Sequence, residues 1–363
     1  MQKSVVIITS YDGPYGGNFI ASLCALDKKL KEKGLKTVYI FQEKVKDFSW
    51  IPTVETFADT IYFLPYRPNS FDNIKRIRRI LNDENAVLIY SRMSGWDIAA
   101  HLAKPSLPII WHMEMNPNIA DSPIKKLKYI GKYRIIGRKN VYSVAASYPA
   151  AKTLNTLNLK NKCVAIQNAT DFNRLVIKNK ETLSFKKPVN LLTFGYNPYV
   201  KGLDIALDAV EELNKKETVC NLLVSAQKLT YDYIEKRYGN NLPSYVELLE
   251  PVENIVEVYN KADIILSPSR SEGFSFALLE GIYCGLPAVY SDIPGTSWAD
   301  EMKGVYKFSS ENASDMAKSI EKCVADGVIK ENIEYNRKII KEKYSLSVWS
   351  DKMLKFINDI IKF

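Results

Sequence analysis

The chain predicts two doubly wound α/β domains in tandem, on three observations. Short apolar runs recur along the 363 residues, and stretches of helical periodicity separate most of them. Alternation of this kind implies parallel strands joined by crossover helices. The pattern runs through the first half and starts again near Val189, in a chain long enough for two cores.

In the first half the strand candidates are Val5–Thr9, Thr37–Phe41, Thr60–Leu64, Val87–Tyr90, Leu107–Trp111, Val141–Val144 and Cys163–Ile166. Helical patterns such as Phe19–Lys33 and Phe71–Asn82 lie between them. The second half offers Val189–Phe194, Cys220–Ser225, Val246–Leu248, Ile264–Leu266, Ala288–Tyr290 and Val305–Phe308. The stretch Glu181–Pro188 is polar and aperiodic, so we expect a first domain over 1–170, a linker over 171–187 and a second domain over 188–345. Residues 346–363 form an amphipathic helix with Trp349, Met353, Phe356, Ile357 and Ile360 on one face. Two such domains place a ligand cleft at the carboxyl edges of their strands.

Composition narrows the class. Apolar content of 46% and charged content of 25% suit a soluble globular protein. No apolar run approaches the roughly 18 residues that span a bilayer. Ser4-Val-Val-Ile-Ile-Thr-Ser10 is too short for a signal sequence and reads as a first strand. The five cysteines are scattered with no Cys-x-x-Cys, which fits a reducing cytoplasm and argues against a zinc site or disulfide framework. Only His101 and His112 are histidines, which argues against a histidine-rich metal centre.

Charge is uneven. Residues 1–187 carry 30 Lys and Arg against 15 Asp and Glu, whereas residues 188–363 carry 20 against 26. Residues 122–170 hold ten cations and no acid. The segment 124–139 interleaves Lys125, Lys126, Lys128, Lys132, Arg134, Arg138 and Lys139 with Ile, Leu and Tyr. That pattern suits an anionic membrane surface, at about 1 kcal/mol per cation near the headgroups. No nucleic-acid-binding motif accompanies the charge, so no nucleic-acid partner is expected.

Glu272 and Glu280 carry the most information. They stand eight apart in Ser269-Arg-Ser-Glu-Gly-Phe-Ser-Phe-Ala-Leu-Leu-Glu280, between the run Ile264–Leu266 and Gly285-Leu-Pro287. A strand, a turn and a helix over about Phe274–Cys284 follow from that order. Glu272 then sits ahead of a helix N-terminus, where backbone N–H groups and the positive dipole end gather. Carboxylates accept from hydroxyls and N–H groups donate to anions, so the element suits a ligand with both, such as a nucleotide sugar.

This segment resembles the Glu, seven residues, Glu signature of the retaining family 4 glycosyltransferases. The resemblance implies the GT-B fold, with a C-terminal helix crossing back onto the first domain. It also implies sugar transfer from a nucleotide diphosphate sugar to a sugar or lipid-linked sugar acceptor, in cell-surface polysaccharide or glycolipid synthesis. Residue by residue, it implies that Glu272 and the amides of Gly273, Phe274, Ser275 and Phe276 hold the donor sugar and Glu280 the ribose hydroxyls. Lys201-Gly202 matches the family's Lys-Gly, with Lys201 on the donor diphosphate. The Arg that relatives place after Gly195 is here Tyr196; Arg270 either replaces it or braces the turn. Gly16 and Gly17 match the glycine-rich loop bordering donor and acceptor. His112, ending a first-domain strand, matches a histidine beside the transferred sugar, and Glu114 faces the acceptor. Asn168-Ala-Thr-Asp171 resembles the family's Asn-Gly-Val-Asp junction, and Ala226-Gln227 stands where relatives often have Gly-x-Gly. The chain has no Asp-x-Asp, which a metal-dependent GT-A enzyme needs, so no metal or other cofactor is expected. The expected place is the cytoplasm, peripheral on the inner face of the plasma membrane. Two rivals are a noncatalytic nucleotide-sugar-binding subunit and a Rossmann oxidoreductase. The second requires a Gly-x-Gly-x-x-Gly that is absent.

Overall fold

The structure is a computed structural model that describes residues 2–93, 95–115, 117, 122–137, 140–175, 185–217 and 219–362. Residues 176–184 of the expected linker lie outside the described residues, as do Arg138 and Lys139 of the basic segment. Two compact units form. One is Met1–Asp171 with Tyr344–Phe363; the other is Phe172–Lys343.

In the first unit β1 (Ser4–Thr9), β2 (Lys36–Gln42), β3 (Thr60–Leu64), β4 (Ala86–Arg92), β5 (Ile109–Met113), β6 (Val141–Ala145) and β7 (Val164–Ala165) form one sheet. Its order is β3-β2-β1-β4-β5-β6-β7, with parallel pairing throughout. The strands are apolar on both faces because helices cover both. The helix Gly17–Lys31 buries Ile20, Leu23, Leu26 and Leu30 against one face. The closing helix Leu346–Ile361 packs on the same core through Trp349, Met353 and Ile357, each at most 2% exposed. Burial of such side chains stabilises by roughly 1.5–3 kcal/mol each.

The second unit repeats the plan. β8 (Val189–Phe194), β9 (Cys220–Ser225), β10 (Val246–Leu249), β11 (Ile264–Ser267), β12 (Ala288–Ser291) and β13 (Val305–Phe308) lie in the order β10-β9-β8-β11-β12-β13. All pairings are again parallel. Strand order reverses between β1 and β4 in one unit and between β8 and β11 in the other. Ligands of doubly wound sheets bind at such switch points, beyond the carboxyl ends of the strands.

The expected strands form, with shifted ends. The strand expected over Leu107–Trp111 begins at Ile109 instead, because Pro108 has no N–H to give a ladder. Its end moves to Met113, so His112 lies inside β5, paired with Arg92 of β4, and does not end the strand. The basic segment forms a helix over Pro123–Ile130 that runs into a π-helical turn over Gly131–Ile136.

Candidate functional site

In the second unit the loops after β8 and β11 flank the switch point. β11 is wholly buried, and the helix Phe276–Tyr283 that follows its loop packs tightly on it. A Cβ on Gly281 would lie 3.1 Å from Ile265. Between them, Glu272 is 9% exposed. Its Oε1 accepts from Lys201 Nζ at 2.5 Å and from Ser269 Oγ at 2.8 Å. Lys201 comes from the other loop, and its Nζ also lies 4.6 Å from the centre of the Tyr196 ring. Burial alone would push the Lys201 ammonium down; the Glu272 carboxylate outweighs it and holds its pKa up.

Two glycines set this contact. Gly202 has φ 64°, and a Cβ there would fall 1.9 Å from the Pro268 carbonyl oxygen. A Cβ on Gly295 would fall 2.1 Å from the carbonyl oxygen of Glu272. The backbone of Glu272 is thus backed by the turn after β12. Ser291 Oγ, at the end of β12, donates to the Ser269 carbonyl at 2.6 Å. Sequence reasoning missed Gly295 and Ser291; a Pro-Gly pair such as Pro294-Gly295 signals a turn but not what it packs against.

Gly273, Phe274 and Ser275 lead into the helix, with Ser275 as its N-cap in extended conformation and Phe276 its first residue. The first N–H groups of a helix have no intrahelical acceptor. Phe274 stacks on Trp298, ring centres 5.5 Å apart, and meets Phe276 edge-on at 5.5 Å. Glu280 lies along the helix, 3% exposed. Its Oε2 accepts from the Tyr259 hydroxyl at 3.1 Å, and its Oε1 from the Arg174 guanidinium. Arg174 and Tyr259 were not among the expected site residues. Arg174 sat in what read as linker, and no motif marked Tyr259.

Arg270 is tied to Asp204 and Tyr199. Its guanidinium holds Asp204 at 2.8 and 2.7 Å, donates to the Tyr199 carbonyl at 2.8 Å and lies over the Tyr199 ring. Burial would raise the Asp204 carboxyl, but the Arg270 hydrogen bond holds it below its usual range.

In the first unit β4 and β5 carry a buried polar cluster. His112 is 1% exposed, and its Nδ1 is 2.5 Å from the Tyr90 hydroxyl. Burial pushes its pKa down to about 4. Its Nε2 is 3.8 Å from Glu114 Oε1 and has no hydrogen-bond partner among the described residues. Glu114 accepts from the Arg92 guanidinium and, at 2.8 Å, from Asn168 Nδ2. Burial would raise Glu114, but the Arg92 charge, with help from His112, brings it down to about 2. The Arg92 guanidinium also sits over the rings of Phe19 and Trp349, at 4.5 and 5.3 Å. The closing helix therefore reaches this cluster. Gly16 and Gly17 open the helix after β1; Gly17 has φ 46°, and a Cβ on Gly16 would lie 2.9 Å from Ile20. The Trp50 indole holds the loop by donating to the Gly13 carbonyl at 3.0 Å.

No group of three or more His, Cys, Asp or Glu among the described residues is arranged to hold a metal ion. No helix among them is long and apolar enough to cross a membrane.

Comparison with known proteins bears on the domain and the fold. Residues 188–326 match the family model described as "Glycosyl transferases group 1", so the second unit carries a domain of that kind. An uncharacterized glycosyltransferase of Methanocaldococcus jannaschii is 25% identical over 192 residues, 52% of this chain and 51% of the relative. The N,N'-diacetylbacillosaminyl-diphospho-undecaprenol alpha-1,3-N-acetylgalactosaminyltransferase of Campylobacter jejuni is 29% identical over 119 residues, 32% of this chain and 31% of the relative. The chain spans about half the length of the first of these relatives and less of the second. Among solved structures, a glycosyltransferase from Rickettsia africae has a TM-score of 0.76 at 17% identity, covering 99% of both chains. Anabaena HepE in complex with UDP and glucose has a TM-score of 0.76 at 14% identity, covering 98% of this chain and 99% of that one. The fold is GT-B, as the resemblance implies.

Proposed function

We propose that this chain is a retaining glycosyltransferase that moves a sugar from a nucleotide diphosphate sugar to a sugar or lipid-linked sugar acceptor. The observation that carries the reading is the Lys201–Glu272 pair. It sits at a strand switch point beside a helix N-terminus, inside the segment that matches glycosyl transferases group 1. Glu272 and the Gly273–Phe276 backbone hold the donor sugar. Glu280, steadied by Arg174 and Tyr259, accepts from the ribose hydroxyls.

In the reaction the bond from the anomeric carbon to the diphosphate oxygen breaks, and a bond from that carbon to the acceptor oxygen forms on the same face. The acceptor's proton leaves with the departing diphosphate. Negative charge grows on that diphosphate, and Lys201 with the first helical N–H groups stabilises it without a metal. Glu272 is not assigned as a covalent nucleophile, because departure and attack on one face need none; its Oε1 instead holds Lys201 and Ser269. His112, uncharged at neutral pH, contacts a donor sugar hydroxyl through Nε2, and Glu114 lies on the acceptor side. The basic segment rests on an anionic membrane, which puts the enzyme in the cytoplasm, peripheral on the inner face of the plasma membrane, in surface polysaccharide or glycolipid synthesis.

The test is donor turnover. Anabaena HepE was crystallised with UDP and glucose, so UDP-sugars come first. Purified protein should release UDP slowly from one of them even without acceptor. The same donor should raise the melting temperature; at 100 times its dissociation constant it stabilises by about 2.7 kcal/mol. Stabilisation with no release of nucleotide would identify a noncatalytic binding subunit instead.

A further inference from the structure

The loop between β8 and the helix Leu203–Leu213 carries Tyr196 to the Lys201–Glu272 pair. It is held at both ends. Thr230, wholly buried, donates through Oγ1 to the Gly195 carbonyl at 2.7 Å. The Gly195 N–H donates to the Ser225 carbonyl at 3.0 Å. A Cβ on Gly195 would fall 2.8 Å from Thr230 and 3.0 Å from Val224, so the chain turns tightly against β9 just before Tyr196. At the far end Arg270 donates to the Tyr199 carbonyl, and the Lys201 N–H to the Asn197 carbonyl, both at 2.8 Å. Tyr196 itself is 46% exposed. The backbone is fixed on either side of a side chain that a ligand can reach.

Lys201 Nζ is enclosed on two sides. Glu272 Oε1 accepts one of its hydrogens, and the Tyr196 ring centre lies 4.6 Å away. Against burial, the Glu272 carboxylate first and the Tyr196 side chain after it hold the ammonium charged. An ammonium has three donors, so with Glu272 served it can still meet a ligand oxygen. Paired with Glu272, however, it brings the site no net charge. A diphosphate that gathers charge there is better held by a second donor. A phenol beside Nζ supplies one, with one O–H to give and two lone pairs.

We propose that Tyr196 is a catalytic residue: its hydroxyl donates to an oxygen of the leaving diphosphate, while its ring confines the Lys201 ammonium. The proposal rests on the transferase reading above and adds a group that the reading leaves idle. No proton leaves the hydroxyl; the bonds broken and formed are those already given. The contact strengthens as the sugar departs, because a hydrogen bond grows with the charge on its acceptor. Losing it therefore slows turnover more than it weakens ground-state binding.

The experiment compares wild type with Tyr196→Phe, Tyr196→Ala and Tyr196→Arg in the full chain. Tyr196→Phe keeps the ring and loses the hydroxyl. Turnover of the UDP-sugar that wild type consumes should fall about tenfold to a hundredfold, the weight of one hydrogen bond to a charged group. UDP affinity, read by calorimetry, should fall by a smaller factor. Uridine, which has no phosphate, should bind as before. Tyr196→Ala also uncovers Lys201 and should be slower still. Tyr196→Arg returns a donor to the place and should regain turnover over Tyr196→Phe. The urea midpoint of Tyr196→Phe should match wild type, since the side chain is half exposed. An equal loss of UDP and uridine affinity overturns the proposal, because the residue then serves the nucleoside or the loop. If wild type turns over a UDP-sugar and Tyr196→Phe is unimpaired, the proposal falls and the transferase reading stands. If Tyr196→Phe weakens UDP and spares uridine while no UDP-sugar is consumed, the phosphate contact stands and the transferase reading falls.

Discussion

Lys201 Nζ donates to Glu272 Oε1 across 2.5 Å, and each residue is 9% exposed. Sequence reasoning gave them separate tasks, one on the diphosphate and one on the sugar. The fold makes them one unit, drawn from the loops on either side of the β8–β11 switch point. A buried pair of this kind is a weak source of stability in itself, but losing one partner strands the other's charge.

Lys201→Ala should therefore have two effects. Turnover should fall further than UDP affinity, because a fixed cation helps most when charge builds on the leaving group. Stability should also drop, by about 3–5 kcal/mol, because Glu272 keeps a buried charge. Lys201→Ala combined with Glu272→Gln should regain most of the stability and none of the turnover. Urea unfolding of the single and double variants decides it; a double variant no more stable than the single one refutes the coupling. Wild-type turnover should persist in excess EDTA. Loss in EDTA with recovery on adding Mn²⁺ would count against the electrostatic scheme.

Glu280→Ala should weaken binding of free UDP by about 1.5–3 kcal/mol, the size of a charge-assisted hydrogen bond. Tyr259→Phe is the milder variant. It removes a neutral donor 3.1 Å from Oε2 and leaves the carboxylate, so the loss should be about 0.5–1.5 kcal/mol. Calorimetric affinities for UDP that do not fall in Glu280→Ala would remove Glu280 from the nucleotide site.

The strands were legible because a buried parallel strand announces itself as a short apolar run, as at Ile264–Ser267 and Val189–Phe194. Strand ends were less so; Pro108 moved β5 by two residues through a missing N–H. Around the site, residues with a local motif were legible, such as Glu272, Glu280 and Lys201-Gly202. Partners brought in from elsewhere in the chain were not. Arg174 lies 106 residues from Glu280, and Gly295 backs Glu272 only because β12 pairs with β11. Arg270 had two readings in the sequence; the fold pairs it with Asp204 on a neighbouring helix, a partner that no local motif announced.

Acid should destabilise the first unit in two steps. His112 is held at about 4 against an ordinary 6.5, so between those values the unfolded chain binds a proton that the folded chain refuses. Stability due to this group is complete above pH 6.5 and falls as pH drops towards 4. Glu114 is held at about 2 against an ordinary 4.5, so its contribution is complete above 4.5 and is lost as pH falls towards 2. Both signs agree. The urea midpoint should decline from pH 7 to 4.5, and His112→Gln should flatten that part of the curve. An unaltered slope in His112→Gln would show that other groups set it.

The helix Pro123–Ile130 buries none of its residues, and Ile124 and Leu127 are 80% and 69% exposed. Lys125, Lys126 and Lys128 lie on the same short helix, and Arg134 follows in the π-helical turn. Lys132 is left out of this set because Asp97 holds it. Apolar side chains left in water among cations suit an anionic bilayer, at about 1 kcal/mol per cation near the surface. The chain should co-sediment with anionic vesicles at low salt. It should release as the screening length falls from about 10 Å at 0.1 M salt to about 3 Å at 1 M. Changing Lys125, Lys126, Lys128 and Arg134 together to glutamate should abolish the binding and spare UDP affinity. Ile124→Asp with Leu127→Asp should weaken it and spare UDP affinity, because neither residue lies in the second unit. Wild-type protein that ignores anionic vesicles at low salt would remove the membrane from the scheme and point to a soluble acceptor.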